Sequence, residues 1–121
     1  MDPVGVHAAV ESAFNDGDVD ALMALYEPDA RMVRDDGTVA VGLDEIRTVW
    51  SDLVALGGRV RMETRYAVES GDVALLSNEW TLELDGNPVA SGATAEVARR
   101  QDDGTWRYVI DNPFGSGTPA A

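Results

Sequence analysis

The sequence predicts an α+β domain in which three N-terminal helices pack on one face of a curved antiparallel sheet. Two observations support this class. Hydrophobic residues recur at helical spacing in the first half of the chain, and strand-like runs separated by Gly/Asp turns fill the second half. A chain of 121 residues with no internal linker is expected to form one domain. We place that domain at residues 1–114 and a disordered tail at residues 115–121.

Three segments of the first half have the spacing of amphipathic helices. The first covers residues 4–15 and the second residues 19–26. The third opens at Gly42-Leu43-Asp44-Glu45 and ends at Gly57-Gly58. Between the second and third helices, Asp35-Asp36-Gly37-Thr38 is typical of a tight turn, which predicts a short β-hairpin at that point.

Four extended segments follow the third helix, and each is separated from the next by a turn rich in glycine and aspartate. They cover residues 60–69, 73–84, 89–101 and 105–113. Short turns of this kind join neighbouring strands that run antiparallel. Helices on one face of such a sheet enclose a space that is the expected site for a ligand.

The composition excludes several kinds of function. The chain has 22 acidic residues, nine basic ones that are all arginine, a net charge of −13 and no cysteine. Schiff-base lysines, thiolate nucleophiles and zinc–thiolate sites are therefore absent. A strongly acidic chain is not expected to bind nucleic acid or anionic membranes. Because no signal peptide or membrane-length apolar run is present, we expect a cytoplasmic protein.

Metal and cofactor binding are not expected either. Asp16, Asp18 and Asp20 have the spacing that opens a calcium-binding loop, but Ala21 stands where that loop requires glycine. The single histidine, His7, is expected on the polar side of the first helix, in contact with solvent.

Five short strings in a fixed order resemble the SnoaL-like branch of the nuclear transport factor 2-like superfamily. They are FNDGD at 14–18, LYEPDA at 25–30, GLDEIR at 42–47, RRQDDGTWRY at 99–108 and IDNPF at 110–114. Ketosteroid isomerases, polyketide cyclases and limonene epoxide hydrolases share that fold. The resemblance implies a cystatin-like α+β cone, and a homodimer formed through the outer face of the sheet. It does not imply one function, since this fold carries enzymes, binding modules and docking domains.

The catalytic groups of those enzymes do not carry over to this sequence. The resemblance to ketosteroid isomerases would require a tyrosine, a carboxylate base and an aspartate where Val10, Arg34 and Val97 stand. The His-Trp-Asp context of the cyclases is absent. Arg65, Glu96 and Asp111 imitate the Asp-Arg-Asp set of the epoxide hydrolases only loosely. The catalytic residues are therefore left unassigned, and the question of enzyme activity stays open.

Strand alternation predicts which side chains face the helices. In segment 73–84 the even-numbered residues, including Asn78 and Trp80, are expected inside. In segment 105–113 the even-numbered residues are again expected inside, and in segment 89–101 the inward set is Ala93, Ala95 and Val97. Glu96 and Asp111 would then lie on the outer face. There they are expected to form ion pairs with Arg99 or Arg107 across a dimer interface, and the alternative is a pair of pocket acids.

Seven residues are the candidate ligand-binding set. Asn78 and Asn112 would orient a ligand, Arg34 would bind an anionic group, and aromatic side chains would form the wall. The alternatives are amides that only satisfy neighbouring groups, an arginine paired with a nearby acid, and aromatics that only fill the core. The set is Tyr26, Arg34, Trp50, Asn78, Trp80, Asn112 and Phe114.

Three functions remain compatible with the sequence. The first is an apolar, amide-lined pocket that binds a small hydrophobic or aromatic ligand. The second is an isomerase, cyclase or hydrolase that acts on a small polyketide- or steroid-like molecule. The third is a non-catalytic protein-interaction or dimerisation domain whose interior is simply filled. An acid inside the cone would favour the enzyme.

Overall fold

The computed structural model describes residues 2–115, which contain three helices and seven strands. The helices are α1 (Gly5–Asn15), α2 (Val19–Met23) and α3 (Gly42–Val54). The strands are β1 (Tyr26–Val33), β2 (Val39–Val41), β3 (Arg59–Ser70), β4 (Val73–Leu84), β5 (Asn87–Ala93), β6 (Ala95–Arg100) and β7 (Trp106–Asn112). The α+β class is confirmed.

The local signals of the first half correspond to real elements, with one adjustment. The hairpin pairs Arg31 with Val41 around a turn in which Gly37 has φ +85°, a conformation that favours glycine. The Asp18 side chain accepts a hydrogen bond from the Ala21 N–H and so begins α2. However, α2 is shorter than expected, because the backbone at Tyr26 already pairs with β7.

The strands form one sheet in the order β2-β1-β7-β6-β4-β3. β4 pairs with β6 through residues 73–76 and with β5 through residues 79–84. The consecutive pairs β3–β4, β4–β5 and β6–β7 are antiparallel, as the turns predicted. The expectation of a wholly antiparallel sheet is wrong, since β1 runs parallel to β7. This pairing joins residues about eighty positions apart in the sequence, so no local turn could indicate its direction.

The helices cover one face of the sheet, with α1 against β3 and α3 against β1 and β2. Two of them precede β1, whereas α3 follows the β1–β2 hairpin. Apolar side chains from both layers form the core, which includes Phe14, Leu22, Ile46, Leu76 and Tyr108. The expected tail lies outside the described residues from position 116 onward, and Gly115 closes a turn by donating its N–H to Asn112 O at 3.2 Å.

The inward face of β7 changes partway along the strand, which corrects the alternation prediction. Ala98 pairs with Tyr108, but the next residue of β6, Val97, pairs with Ile110. Val109 is thus an extra residue, a β-bulge that reverses the side-chain alternation after it. Ile110 is consequently 43% exposed, while Asp111 is only 4% exposed.

The assignment of β6 is also corrected. Thr94, just before the strand, and Glu96 and Ala98 within it are buried, whereas Val97 is only partly buried. The sequence favoured the wrong face because the outer face of this sheet is itself apolar. Glu96 lies opposite Leu76 on β4 and opposite Asp111 on β7, so both acids point toward the helices. The placement of these two acids at an outer-face interface is therefore wrong.

Candidate functional site

A cavity of about 620 Å³ lies between the helices and the sheet. Helices α1 and α3 form one side of it, and strands of the sheet form the other. Most of its wall is apolar. Aromatic and aliphatic side chains that contribute to it are Val10, Phe14, Trp50, Leu53, Val60, Met62, Trp80, Leu82, Tyr108 and Phe114. A space of this size and character is typical of a small-molecule site.

Two of the acids that line this mostly apolar cavity are buried. Glu96 and Asp111 are directly opposed in the β6–β7 ladder, and both are almost fully buried. Opposed residues of an antiparallel pair hold their Cβ atoms about 5 Å apart. Two carboxyl groups this close in a buried site do not ionise together easily, because each charge raises the cost of the other.

Asp111 is held in its neutral form. Burial, followed by the nearby Glu96 carboxylate, raises the pKa of Asp111 to about 8, although the hydrogen bond from Tyr26 acts in the opposite direction. Tyr26 Oη donates to Asp111 Oδ2 at 2.6 Å and accepts from Trp50 Nε1 at 3.0 Å. Burial also raises the pKa values of Tyr26 and Tyr108, which therefore remain protonated. A neutral carboxyl group at this position can donate a hydrogen bond.

Glu96 has a basic partner. His7 Nε2 and Glu96 Oε1 share a hydrogen bond of 2.6 Å, and His7 Nδ1 lies 2.8 Å from Thr64 Oγ1. His7 is only 3% exposed, so the expectation of a solvent-facing histidine is wrong. His7 lies four residues after Pro3, three before Val10 and seven before Phe14, and all three are buried. His7 therefore belongs to the buried stripe of α1. That spacing is the signal that could have identified it.

Asn78 completes the polar part of the cavity wall. Its Nδ2 donates to Glu96 Oε2 at 3.5 Å, and its backbone N–H donates to Thr94 Oγ1 at 2.9 Å. The side-chain oxygen, Asn78 Oδ1, is buried and has no hydrogen-bond partner within residues 2–115. Asn78 was predicted to face the interior from strand alternation, and it does so.

The seven candidate residues fall into three groups. Trp50, Asn78, Trp80, Phe114 and Arg34 line the cavity. Tyr26 lies behind the wall, where it holds Asp111. Asn112 is turned away, since its Nδ2 donates to Gly115 O at 2.7 Å and its Oδ1 accepts from Phe114 N at 3.0 Å.

Arg34 lies at the exposed end of the cavity. Its guanidinium donates to Thr38 Oγ1 at 3.2 Å and pairs with Glu45 Oε1 at 3.3 Å. Asp35 and Asp52 also line the cavity, and both are exposed. The rim therefore carries three acids against one arginine, which gives it a negative local charge.

Two further properties of the described region bear on function. No group of three or more His, Cys, Asp or Glu side chains in residues 2–115 is arranged to hold a metal ion. None of the three helices there has the length and hydropathy needed to cross a bilayer.

Comparison with known proteins supports the same architecture. The model of the SnoaL-like domain family matches residues 6–110. No curated protein matches the sequence.

Solved structures with this fold share little sequence with the chain. A domain of unknown function with a cystatin-like fold from Nostoc punctiforme is 21% identical, with a TM-score of 0.79 over 94% of this chain and 75% of that one. A ketosteroid isomerase-like protein from Erwinia carotovora is 24% identical, with a TM-score of 0.69 over 91% of this chain and 90% of that one. An NTF2-like protein from Novosphingobium aromaticivorans is 20% identical, with a TM-score of 0.77 over 89% and 75% of the two chains. These similarities establish the fold.

Proposed function

Since the chain belongs to the SnoaL-like domain family, we propose that its cavity binds a small, mostly apolar molecule and catalyses a proton transfer on it. The observation that carries this proposal is the pair of opposed, buried acids, Glu96 and Asp111, on the wall of a mostly apolar cavity. Paired carboxyl groups in different environments can serve as base and acid at the same pH.

Glu96 is suited to act as the base. Its Oε1 atom is hydrogen-bonded to His7, its Oε2 atom lies 3.5 Å from Asn78 Nδ2, and the Tyr108 hydroxyl also hydrogen-bonds the Glu96 side chain. Oε2, the oxygen that is not bonded to His7, is the atom we assign to accept a proton from a bound molecule. The surrounding wall is mostly apolar, and surroundings of low dielectric strengthen the interaction of this side chain with a ligand.

Asp111 is suited to act as the acid. Its Oδ2 accepts the hydrogen bond from Tyr26, which fixes the orientation of the carboxyl group. The proton that the neutral group carries can then be directed to an oxygen atom of the ligand. A preorganised donor of this kind stabilises negative charge that develops on a carbonyl oxygen.

Together these groups fit enolisation of a ketone. Glu96 would remove a proton from the carbon next to the carbonyl, and Asp111 would donate to the carbonyl oxygen to give the enol. Return of the proton to another carbon of the same conjugated system would give an isomer. The fold shared with a ketosteroid isomerase-like protein is compatible with this chemistry. However, this chain carries its acids at positions other than those the resemblance indicated.

Hydrogen–deuterium exchange tests this activity without knowledge of the natural substrate. A panel of bicyclic and polycyclic ketones would be incubated with the protein in D₂O, and deuterium incorporation next to the carbonyl followed by mass spectrometry. We expect the wild-type protein to accelerate exchange, and Glu96→Gln to reduce the rate by about 100-fold or more, as expected for loss of a general base.

Glu79→Gln is the matched control, because Glu79 lies on β4 and is exposed. This variant should exchange at the wild-type rate. The proposal fails if wild type does not accelerate exchange of any ketone that binds, or if Glu96→Gln exchanges as fast as wild type.

We also propose that two copies associate through the outer face of the sheet. Val68, Leu75, Val97 and Ile110 occupy consecutive strands in register and form an apolar row across that face. Val68, Leu75 and Ile110 are each more than 40% exposed. A contiguous exposed apolar surface of this kind supports an interface with a second copy, as expected from the family resemblance.

A further inference from the structure

We propose that the ligand of this cavity is an uncharged molecule with a hydroxyl group that donates a hydrogen bond to Asn78 Oδ1. The inference refines the proposed function. It rests on the proposal that the cavity binds a small molecule. It does not depend on catalysis.

The main observation is the unpaired oxygen of Asn78. The residue is 1% exposed, lines the cavity and has no partner for Oδ1 among residues 2–115. A buried carbonyl-type oxygen without a donor carries a desolvation cost. A donor on the ligand would remove this cost, so binding of a hydroxyl group at this point is favoured over binding of a hydrocarbon.

The orientation of the amide is determined by Glu96. Asn78 Nδ2 points to Glu96 Oε2 at 3.5 Å, so the donor end of the amide faces the carboxylate. Rotation of the amide by half a turn would place its oxygen against the carboxylate, with two acceptors facing each other. The acceptor end of Asn78 is therefore the one left for the ligand.

The neighbouring groups make a donor on the ligand the best match. Glu96 offers a second acceptor beside Asn78, and Thr94 Oγ1 accepts a hydrogen bond from the Asn78 backbone N–H. Asp111, across the ladder, is the group that donates. A ligand with one hydroxyl near Asn78 and one carbonyl near Asp111 would satisfy both sides.

The charges around the cavity disfavour charged ligands. The rim carries Asp35, Glu45 and Asp52 against Arg34, and the net charge of the chain is −13, so a carboxylate or phosphate would be repelled. A cationic ligand is also disfavoured, because burial of a cation is costly and Glu96 Oε1 is already hydrogen-bonded to His7. A neutral hydroxyl group avoids both costs.

Four naphthalene probes with matched ring systems test this inference: 2-naphthol, naphthalene, 2-naphthoate and 2-(aminomethyl)naphthalene. Their dissociation constants would be measured by calorimetry or by fluorescence titration. We expect 2-naphthol to bind wild type about fivefold or more tightly than naphthalene, the equivalent of one additional hydrogen bond. The anionic and cationic probes should bind more weakly than 2-naphthol.

Asn78→Leu should reduce the ratio between the naphthol and naphthalene affinities to near one, since it removes the acceptor and retains a similar volume. Leu82→Ala is the matched control on the same strand and the same cavity wall. It should weaken both neutral probes and leave their ratio unchanged.

Each outcome tests the hydroxyl inference, the proposed function, or both. Equal affinities of wild type for naphthol and naphthalene, or tighter binding of either charged probe, would overturn the inference while leaving the cavity as an apolar site. An unchanged ratio in Asn78→Leu would also overturn it. Failure of all four probes to bind would overturn both the inference and the ligand site. A hydroxyl preference without any deuterium exchange would retain the inference and reject the proposed catalysis. The relative affinities of the four probes for the wild-type protein test the inference even if Asn78→Leu does not fold.

Discussion

Burial decides the protonation of Asp111, and this single residue illustrates how the site differs from its sequence. An aspartate in solution is ionised at neutral pH, but the pKa of Asp111 rises to about 8 because the side chain is buried and faces the Glu96 carboxylate. Tyr26 and Tyr108 are the other titratable groups around it, and both remain neutral. The fold must therefore supply free energy to keep this carboxyl group ionised at high pH.

We expect the free energy of unfolding to fall as pH rises, over a window set by Asp111. Its pKa is raised on folding, so between about pH 4 and about pH 8 the native state retains a proton that the unfolded state has released. The contribution of this group is fully present below that window and declines by up to about 1.4 kcal/mol per pH unit within it. Asp111→Asn, which keeps an acceptor for the Tyr26 hydroxyl, should show a flatter profile.

Urea unfolding of both proteins at several pH values across this window measures the difference. Groups common to the two proteins contribute similarly to both curves, so the difference between the curves isolates position 111. Parallel profiles would show that Asp111 is ionised in the native state.

At the scale of the elements, α1 is attached to the sheet by polar contacts as well as by its apolar stripe. His7 links it to Glu96 on β6 and to Thr64 on β3. Asn15, at the end of the helix, accepts from Val60 N at 2.8 Å and donates to Val60 O at 3.0 Å. Contacts at both ends of α1 thus fix the helix over β3 and close one side of the cavity.

His7→Leu should destabilise the protein by about 3 kcal/mol, since it leaves the Glu96 carboxylate buried without its basic partner. The double variant His7→Leu with Glu96→Leu should lose much less than the sum of the two single changes, because neither buried polar side chain then remains without its partner. Chemical denaturation of the three variants and wild type gives the interaction energy. Additive losses would mean that the His7–Glu96 contact contributes nothing beyond packing.

At the scale of the whole molecule, the two faces of the sheet have different roles. The inner face carries the acids, the amide and the aromatic wall of the cavity. The outer face carries the apolar row formed by Val68, Leu75, Val97 and Ile110. Because both faces contain apolar residues, alternation alone gave a wrong orientation for β6.

We expect wild type to be a dimer in solution and Leu75→Glu to be a monomer, because the substitution would bury a charge at the centre of the apolar row. Sedimentation or light scattering measures the mass of each. Leu56→Glu is the matched control, since Leu56 is also exposed but lies just after α3, away from the apolar row. A dimer that persists in Leu75→Glu would place the interface elsewhere, and a monomeric wild type would reject it.

The sequence by itself determined the α+β class, the hairpin at Gly37, the antiparallel pairs of the second half and the inward position of Asn78 and Trp80. These features depend on neighbours within a few residues: helical spacing, glycine-containing turns and the two-residue period of a strand. The short family strings also depend on local order only. Such signals are complete in the sequence before any long-range contact forms.

The tertiary structure alone decided the chemistry of the site. The bulge at Val109 turns Asp111 inward, and the parallel pairing of β1 with β7 brings Tyr26 to it. The contact of His7 with Glu96 joins residues 89 positions apart. A one-residue change of register reverses which side chains are buried, and burial in turn sets the charge of a carboxyl group. Local sequence patterns specify neither the strand register nor the charge of the buried carboxyl group, because both depend on which distant strand lies alongside.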